Sequence, residues 1–266
     1  MANNQFQARR WMAWLVPLVI LVGAAGAWFA FDPGFHPRAV APAASVDVLQ
    51  DKFEKRVKAY LLDHPEVIIE AANRYESKQA AQRETEAQVV LRARAEEVFR
   101  DKASPIAGNP SGDATLVEFF DYNCPYCRRM VPIMEKLINA DPQLRVVYKE
   151  FPILGPNSVF AAKAALAANE QGKYVPFHDG LFQLRGATEP DAVMEVAGKV
   201  GVDIERLKSD MKQPAIQAAL EKNLALAQAL RINGTPGFVI GDQILRGATD
   251  LTALQKLIRA SRDKHQ

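Results

Sequence analysis

The chain has 266 residues, 48% of them hydrophobic, which is enough for an ordinary packed domain plus additional segments and excludes a disordered protein. The formal net charge of +2 is nearly balanced and the basic residues are spread along the chain, so nucleic acid is not expected as a partner. Two cysteines in the whole chain exclude a disulfide-stapled scaffold.

Residues 11–31 carry no charged side chain. Such a run is long enough to cross a bilayer, which takes roughly 20 apolar residues. Arg9 and Arg10 precede it, and the positive-inside rule then keeps this end in the cytoplasm and sends the rest across. Trp28, Phe29 and Phe31 fall where an aromatic interface belt would lie. Residues 1–34 are therefore expected to be a cytoplasmic stub and transmembrane anchor. The alternative is a signal segment cleaved near Ala41-Pro42-Ala43-Ala44, which would leave a soluble protein. The Pro- and Ala-rich residues 32–44 read as a spacer.

Leu49, Phe53, Val57 and Leu61 recur every four residues, which predicts one apolar face of a helix. Pro65 suits the first turn of a second helix, with Asp63 or His64 as its cap. From 66 to 100 the composition is rich in Ala, Gln, Glu and Arg, and predicts one long, largely solvated helix. Such a segment has no core of its own. Either it lies along the next domain or it pairs with copies of itself. Residues 35–103 are thus expected to form a spacer and helical stalk.

Pro105, Gly108, Pro110 and Gly112 mark a domain boundary. Residues 115–120 are short, apolar and aromatic, and predict a buried strand. A three-residue turn leads to Cys124-Pro125-Tyr126-Cys127, followed by helical spacing of Met130, Ile133, Met134, Leu137 and Ile138, with a kink expected at Pro132. Residues 145–151 predict a second strand. Residues from about 155 to 231 read as helices only, with starts near Phe160, at a cap around Thr188, at Asp203 and at Pro214. Residues 235–240, the turn Gly241-Asp242 and residues 243–245 predict a hairpin. A last helix spans about 251–262. The expected fold is a thioredoxin-like α/β domain over 104–266, with a helical domain inserted at about 155–231.

A bridge between Cys124 and Cys127 would close so short a loop that it would restrain the unfolded chain little. The pair is better explained by chemistry. The thiolate is the nucleophile in disulfide exchange, and a helix N-terminus favours negative charge. Cys127, one turn on, is placed to attack a mixed disulfide formed at Cys124. Pro125 fits the first helical position. Zinc needs about four ligands, and no second Cys-x-x-Cys exists, while His36, His64, His178 and His265 are scattered. No metal and no cofactor are expected. A proline at the start of a strand is awkward unless the Thr235–Pro236 bond is cis and abuts the active site.

The run from Glu118 through Cys127 resembles the active-site segment of DsbA-type periplasmic oxidoreductases, and Gly234-Thr235-Pro236-Gly237-Phe238-Val239 resembles their cis-proline loop. More narrowly, the chain is similar to the ScsC-like branch in three segments: residues 60–68, residues 108–113 and Lys149-Glu150-Phe151-Pro152-Ile153-Leu154-Gly155. The resemblance implies a periplasmic disulfide oxidase or isomerase, in some members a homotrimer built by the N-terminal helices. It implies Cys124 as attacking thiol, Cys127 as resolving thiol, Pro236 shaping the substrate cleft and Thr235 near the cysteines, with Pro125 and Tyr126 tuning the potential. Glu118 matches a buried acid that can move protons, or is a strand carboxylate paired with a lysine such as Lys149. Implied partners are unfolded or misfolded thiol-containing envelope proteins and a DsbB-like or DsbD-like membrane redox protein. A copper(I)-binding protein using the same two thiolates is the alternative.

Overall fold

A computed structural model describes residues 46–263, which fall into two compact units divided between Ile69 and Glu70. The expected membrane segment at 11–31 and its spacer lie outside the described residues. Among the described residues, no helix is long and apolar enough to cross a membrane.

The described part of the first unit holds α1 (Val46–Asp63) and the first turn of α2 (Glu66–Ala93). The four-residue spacing does make a helix, and its apolar stripe is open to solvent, Phe53 at 67% and Leu49 at 61%. Exposed His64 packs against Tyr60 and lies 3.2 Å from the Glu66 carboxylate, so it is a surface residue at the helix junction.

The second unit contains the remainder of α2, then α3 (Ala95–Phe99). The single helix expected over 66–100 is interrupted at Arg94, which leaves helical geometry at φ −114° and ψ 24°. Solvation ends earlier, within α2, where Ala87 is buried, and Leu91 and Val98 pack against the sheet.

Five strands form one mixed sheet in the order β1-β3-β2-β4-β5. They are β1 (Ile106–Gly108), β2 (Ala114–Phe120), β3 (Leu144–Glu150), β4 (Gly237–Ile240) and β5 (Gln243–Arg246). The central pair, β2 and β3, is parallel and connected through α4 (Pro125–Ala140), while the other pairings are antiparallel. β1 is an addition to the expected elements: its residues read as boundary punctuation, yet they pair with β3 through Ile106↔Val147.

Strand alternation distributes the core. Leu116 and Phe120 face α4 and α10 (Leu251–Asp263), with Met130, Leu137, Leu254 and Ile258. Val117 and Phe119 face the opposite side, with Leu91, Val98, Leu226 and Ile232.

The inserted helices are α5 (Pro156–Asn169), α6 (Tyr174–Gln183), α7 (Pro190–Lys199), α8 (Ile204–Asp210) and α9 (Pro214–Ala229). α5 buries eight of its residues, six of them alanine, and small side chains let four other helices pack on it. Asp203 caps α8 by accepting from the Arg206 amide, as its position predicts. Thr188 does not cap α7. Its hydroxyl and amide bind Asn123 instead, beside the cysteines. α4 contains Pro132 within its span.

Candidate active site

β2, at the centre of the sheet, ends at Phe120, and the next three residues form the turn that starts α4. Asp121 organises it. One carboxylate oxygen accepts from the Asn123 amide at 2.8 Å, and the other accepts from the Ile153 and Leu154 amides at 2.8 and 3.0 Å. Asn123 then ties the turn to the insertion through Ser158 and Thr188, each at 2.9 Å. Cys124 occupies the N-cap of α4 in extended geometry, and Pro125 takes the first helical position, where its missing N–H costs nothing.

Cys124 and Cys127 are both free thiols, 4% and 1% exposed. The Thr235–Pro236 bond is cis, and the Cys124 thiol donates to the Thr235 carbonyl oxygen at 3.3 Å. The two cysteines and the 235–236 loop, more than a hundred residues apart, therefore meet as expected. Tyr126 is exposed, with the Arg129 guanidinium 4.5 Å from its ring centre.

Glu118 is buried behind the motif at 4% exposure. The expectation that it pairs with Lys149 is corrected by the register. Glu118 lies opposite Tyr148, whereas Lys149 lies opposite Phe119 and so faces the other side of the sheet. There Lys149 donates to the Glu97 carbonyl and the Ser104 hydroxyl at 2.7 Å and lies 3.6 Å from Asp101. Burial lowers its pKa to about 8. Glu118 has no hydrogen-bond partner among the described residues, and burial alone raises its carboxyl pKa to about 8. Burial first, and then the Glu118 charge, push the Cys127 thiol up.

Sequence reasoning missed a polar cluster behind this site. Tyr122 donates to Glu150 Oε1 at 3.0 Å and Tyr174 donates to the same oxygen at 2.7 Å. His178 Nδ1 lies 3.1 Å from the Tyr122 hydroxyl. Burial holds His178 down at about 3, so the ring is neutral, and it pushes the Glu150 carboxyl up. Tyr122 and Glu150 do belong to the segments that carried the resemblance. Among the described residues, no group of three or more His, Cys, Asp and Glu is arranged to hold a metal ion.

Residues 115–259 match the family model of the DSBA-like thioredoxin domain, and residues 50–82 match that of the copper resistance protein ScsC N-terminal domain. A thioredoxin-like oxidoreductase from Silicibacter pomeroyi is 46% identical, with a TM-score of 0.62 over 63% of this chain and 97% of that one. A linker-deletion mutant of Proteus mirabilis ScsC is 27% identical, with a TM-score of 0.63 over 84% of this chain and all of the other. The Na(+)/H(+) antiporter NhaA of Herminiimonas arsenicoxydans is 32% identical over 158 residues, covering 59% of this chain. The chain spans about a quarter of the length of the curated antiporters it matches.

Proposed function

The chain belongs to the DSBA-like thioredoxin family of thiol–disulfide oxidoreductases, and from that premise we propose that it forms or isomerises disulfide bonds in periplasmic proteins through Cys124-Pro125-Tyr126-Cys127. The observation that carries this reading is the meeting of two free thiols at a helix start with the cis Thr235–Pro236 loop. In the oxidising direction a substrate thiolate attacks Cys124 Sγ, the Cys124–Cys127 bond breaks, and the Cys127 sulfur leaves with the electron pair. A second substrate thiol then attacks the mixed disulfide and releases an oxidised substrate and a reduced Cys124. Pro236 and Thr235 shape the cleft beside the attacking sulfur, Pro125 and Tyr126 tune the potential, and Glu118 supplies a proton to Cys127. Residues 1–34 hold the catalytic domain at the inner membrane, or are removed as a signal, and a DsbB-like or DsbD-like membrane protein resets the thiols.

The copper(I) alternative has less behind it, because the segment matching the copper resistance family, 50–82, contains neither cysteine. Oxidised protein mixed with a reduced, unfolded thiol protein should convert several equivalents of substrate thiol to disulfide when a glutathione buffer resets the enzyme. Absence of turnover together with stoichiometric copper(I) binding would reverse the assignment.

The open face of α1 supports self-association through the helical segment, as a trimer. In light scattering at micromolar concentration, the chain from Val46 onward should have three times the monomer mass, and removal of residues 1–100 should leave a monomer that oxidises thiols but reshuffles wrong disulfides poorly. A monomer from Val46 onward would overturn the stalk reading and favour a tethered monomeric oxidase.

A further inference from the structure

Cys127 gains or loses a proton each time the disulfide opens or closes, yet it is 1% exposed. A cavity of about 210 Å³ lies beneath the motif, with Cys127 and Glu118 among its lining residues. Its walls come from β1, β2, β3, α4 and α6, and its titratable groups are Glu118, Cys127, Glu135, Tyr148, His178 and Asp179, with no lysine or arginine among the lining residues. The volume suffices for several waters, and the lining gives them polar partners.

The inner end is Glu118, which lines the cavity, is nine-tenths buried and whose carboxyl has no hydrogen-bond partner among the described residues. The side wall is His178. Tyr122 gives its only hydroxyl proton to Glu150, so it accepts from His178 Nδ1–H, and the lone pair of this neutral ring sits on Nε2. Nε2 has no partner among the described residues and belongs to a side chain that lines the cavity, which leaves it able to accept from water. The outer end is Glu135 on α4, exposed, beside Asp179 on α6, half-buried.

Resting on the reading of Glu118 above, we infer that Asp179 and Glu135 form the outer station of a water-filled proton path that runs through the cavity, past His178, to Glu118 and Cys127. As the enzyme disulfide opens, the Cys127 thiolate takes a proton from Glu118, and Glu118 is reprotonated from solvent by way of the outer pair. When the disulfide closes, the same proton travels outward. Neither outer carboxylate touches a reacting sulfur; each acts by positioning the proton for Glu118. Burial, and then the Glu135 charge, push the Asp179 carboxyl up, which brings its proton exchange closer to neutral pH.

The test uses the full chain in its oxidised form and reduced glutathione as the probe, in single turnover at pH 7. Asp179→Asn with Glu135→Gln should slow opening of the Cys124–Cys127 bond by about five-fold, a modest share of what general acid–base assistance supplies. The solvent deuterium isotope effect should grow, and added imidazole at constant pH and ionic strength should restore the rate, which a merely structural role would not produce. The equilibrium with glutathione should stay unchanged, because neither carboxylate is among the charges acting on Cys127. Should the double variant not fold, Glu135→Gln alone, at an exposed position, should show the same buffer rescue on a smaller loss. Glu118→Gln separates the outer path from the role of Glu118 itself. A slow Glu118→Gln with wild-type rate, isotope effect and buffer dependence in the outer variants overturns the proton path alone. Wild-type behaviour in all of them overturns the role of Glu118 as well.

Discussion

Cys124→Ser should reduce disulfide exchange to background, while Cys127→Ser should retain the first step and accumulate mixed disulfides with substrate. The asymmetry follows from where α4 places each sulfur. Cys124 is the N-cap, outside the first turn, in contact with the Thr235 carbonyl and next to the cleft wall at Pro236. Cys127 is one turn deeper, and burial and the Glu118 charge push its thiol up. A serine oxygen at 124 is neither ionised at neutral pH nor able to form the mixed disulfide, so nothing can start. A serine at 127 removes only the intramolecular attack that resolves it, and the trapped adduct should be visible on a non-reducing gel and disappear with reductant. Equal residual activity in the two variants, or adducts from Cys124 replacement alone, would reverse the assigned order.

Most of the site was legible in the sequence because its signals are local. A short aromatic run, a turn and Cys-Pro-Tyr-Cys identify strand, loop and helix start, and Gly241-Asp242 between two apolar runs identifies the hairpin. What was not legible depends on partners far along the chain. β1 is three residues long and punctuated by Pro105 and Gly108, and it is a strand only because β3 pairs with it some forty residues later. α6 has no capping side chain at Lys173, and it is held by burial of Tyr174, Phe177 and Leu181. The Glu118–Lys149 pairing failed on register. One residue of shift in a parallel pair turns a side chain to the opposite face, and only the three-dimensional pairing sets that shift. His178 looked like one of four scattered histidines, and its role is created by Tyr122, 56 residues away in sequence.

Glu118→Gln should make the reduced protein more stable at alkaline pH while slowing its exchange chemistry. The folded-state pKa of Glu118 is raised by burial from 4.5 to about 8. Below the ordinary carboxyl range, the folded and unfolded chains both hold the proton and the side chain contributes no pH dependence. Between 4.5 and about 8 the unfolded chain has released the proton and the folded one keeps it, so wild-type stability falls as pH rises through this window. Above it both are ionised and the loss is complete. At about 1.4 kcal/mol for each unit of separation, the full difference is on the order of 4–5 kcal/mol. Glutamine is nearly isosteric and cannot ionise, so it removes this loss. Urea denaturation of both proteins under reductant should give similar midpoints near pH 4.5, with a gap in favour of the variant that widens up to pH 8.5. Parallel pH profiles would mean that Glu118 titrates normally and that the acid behind Cys127 is not held neutral. If the gap opens and exchange also slows, the carboxyl is retained at a cost in stability. In that case its value lies in the proton it exchanges with Cys127, because an unpaired acid at this depth contributes nothing to holding the sheet together.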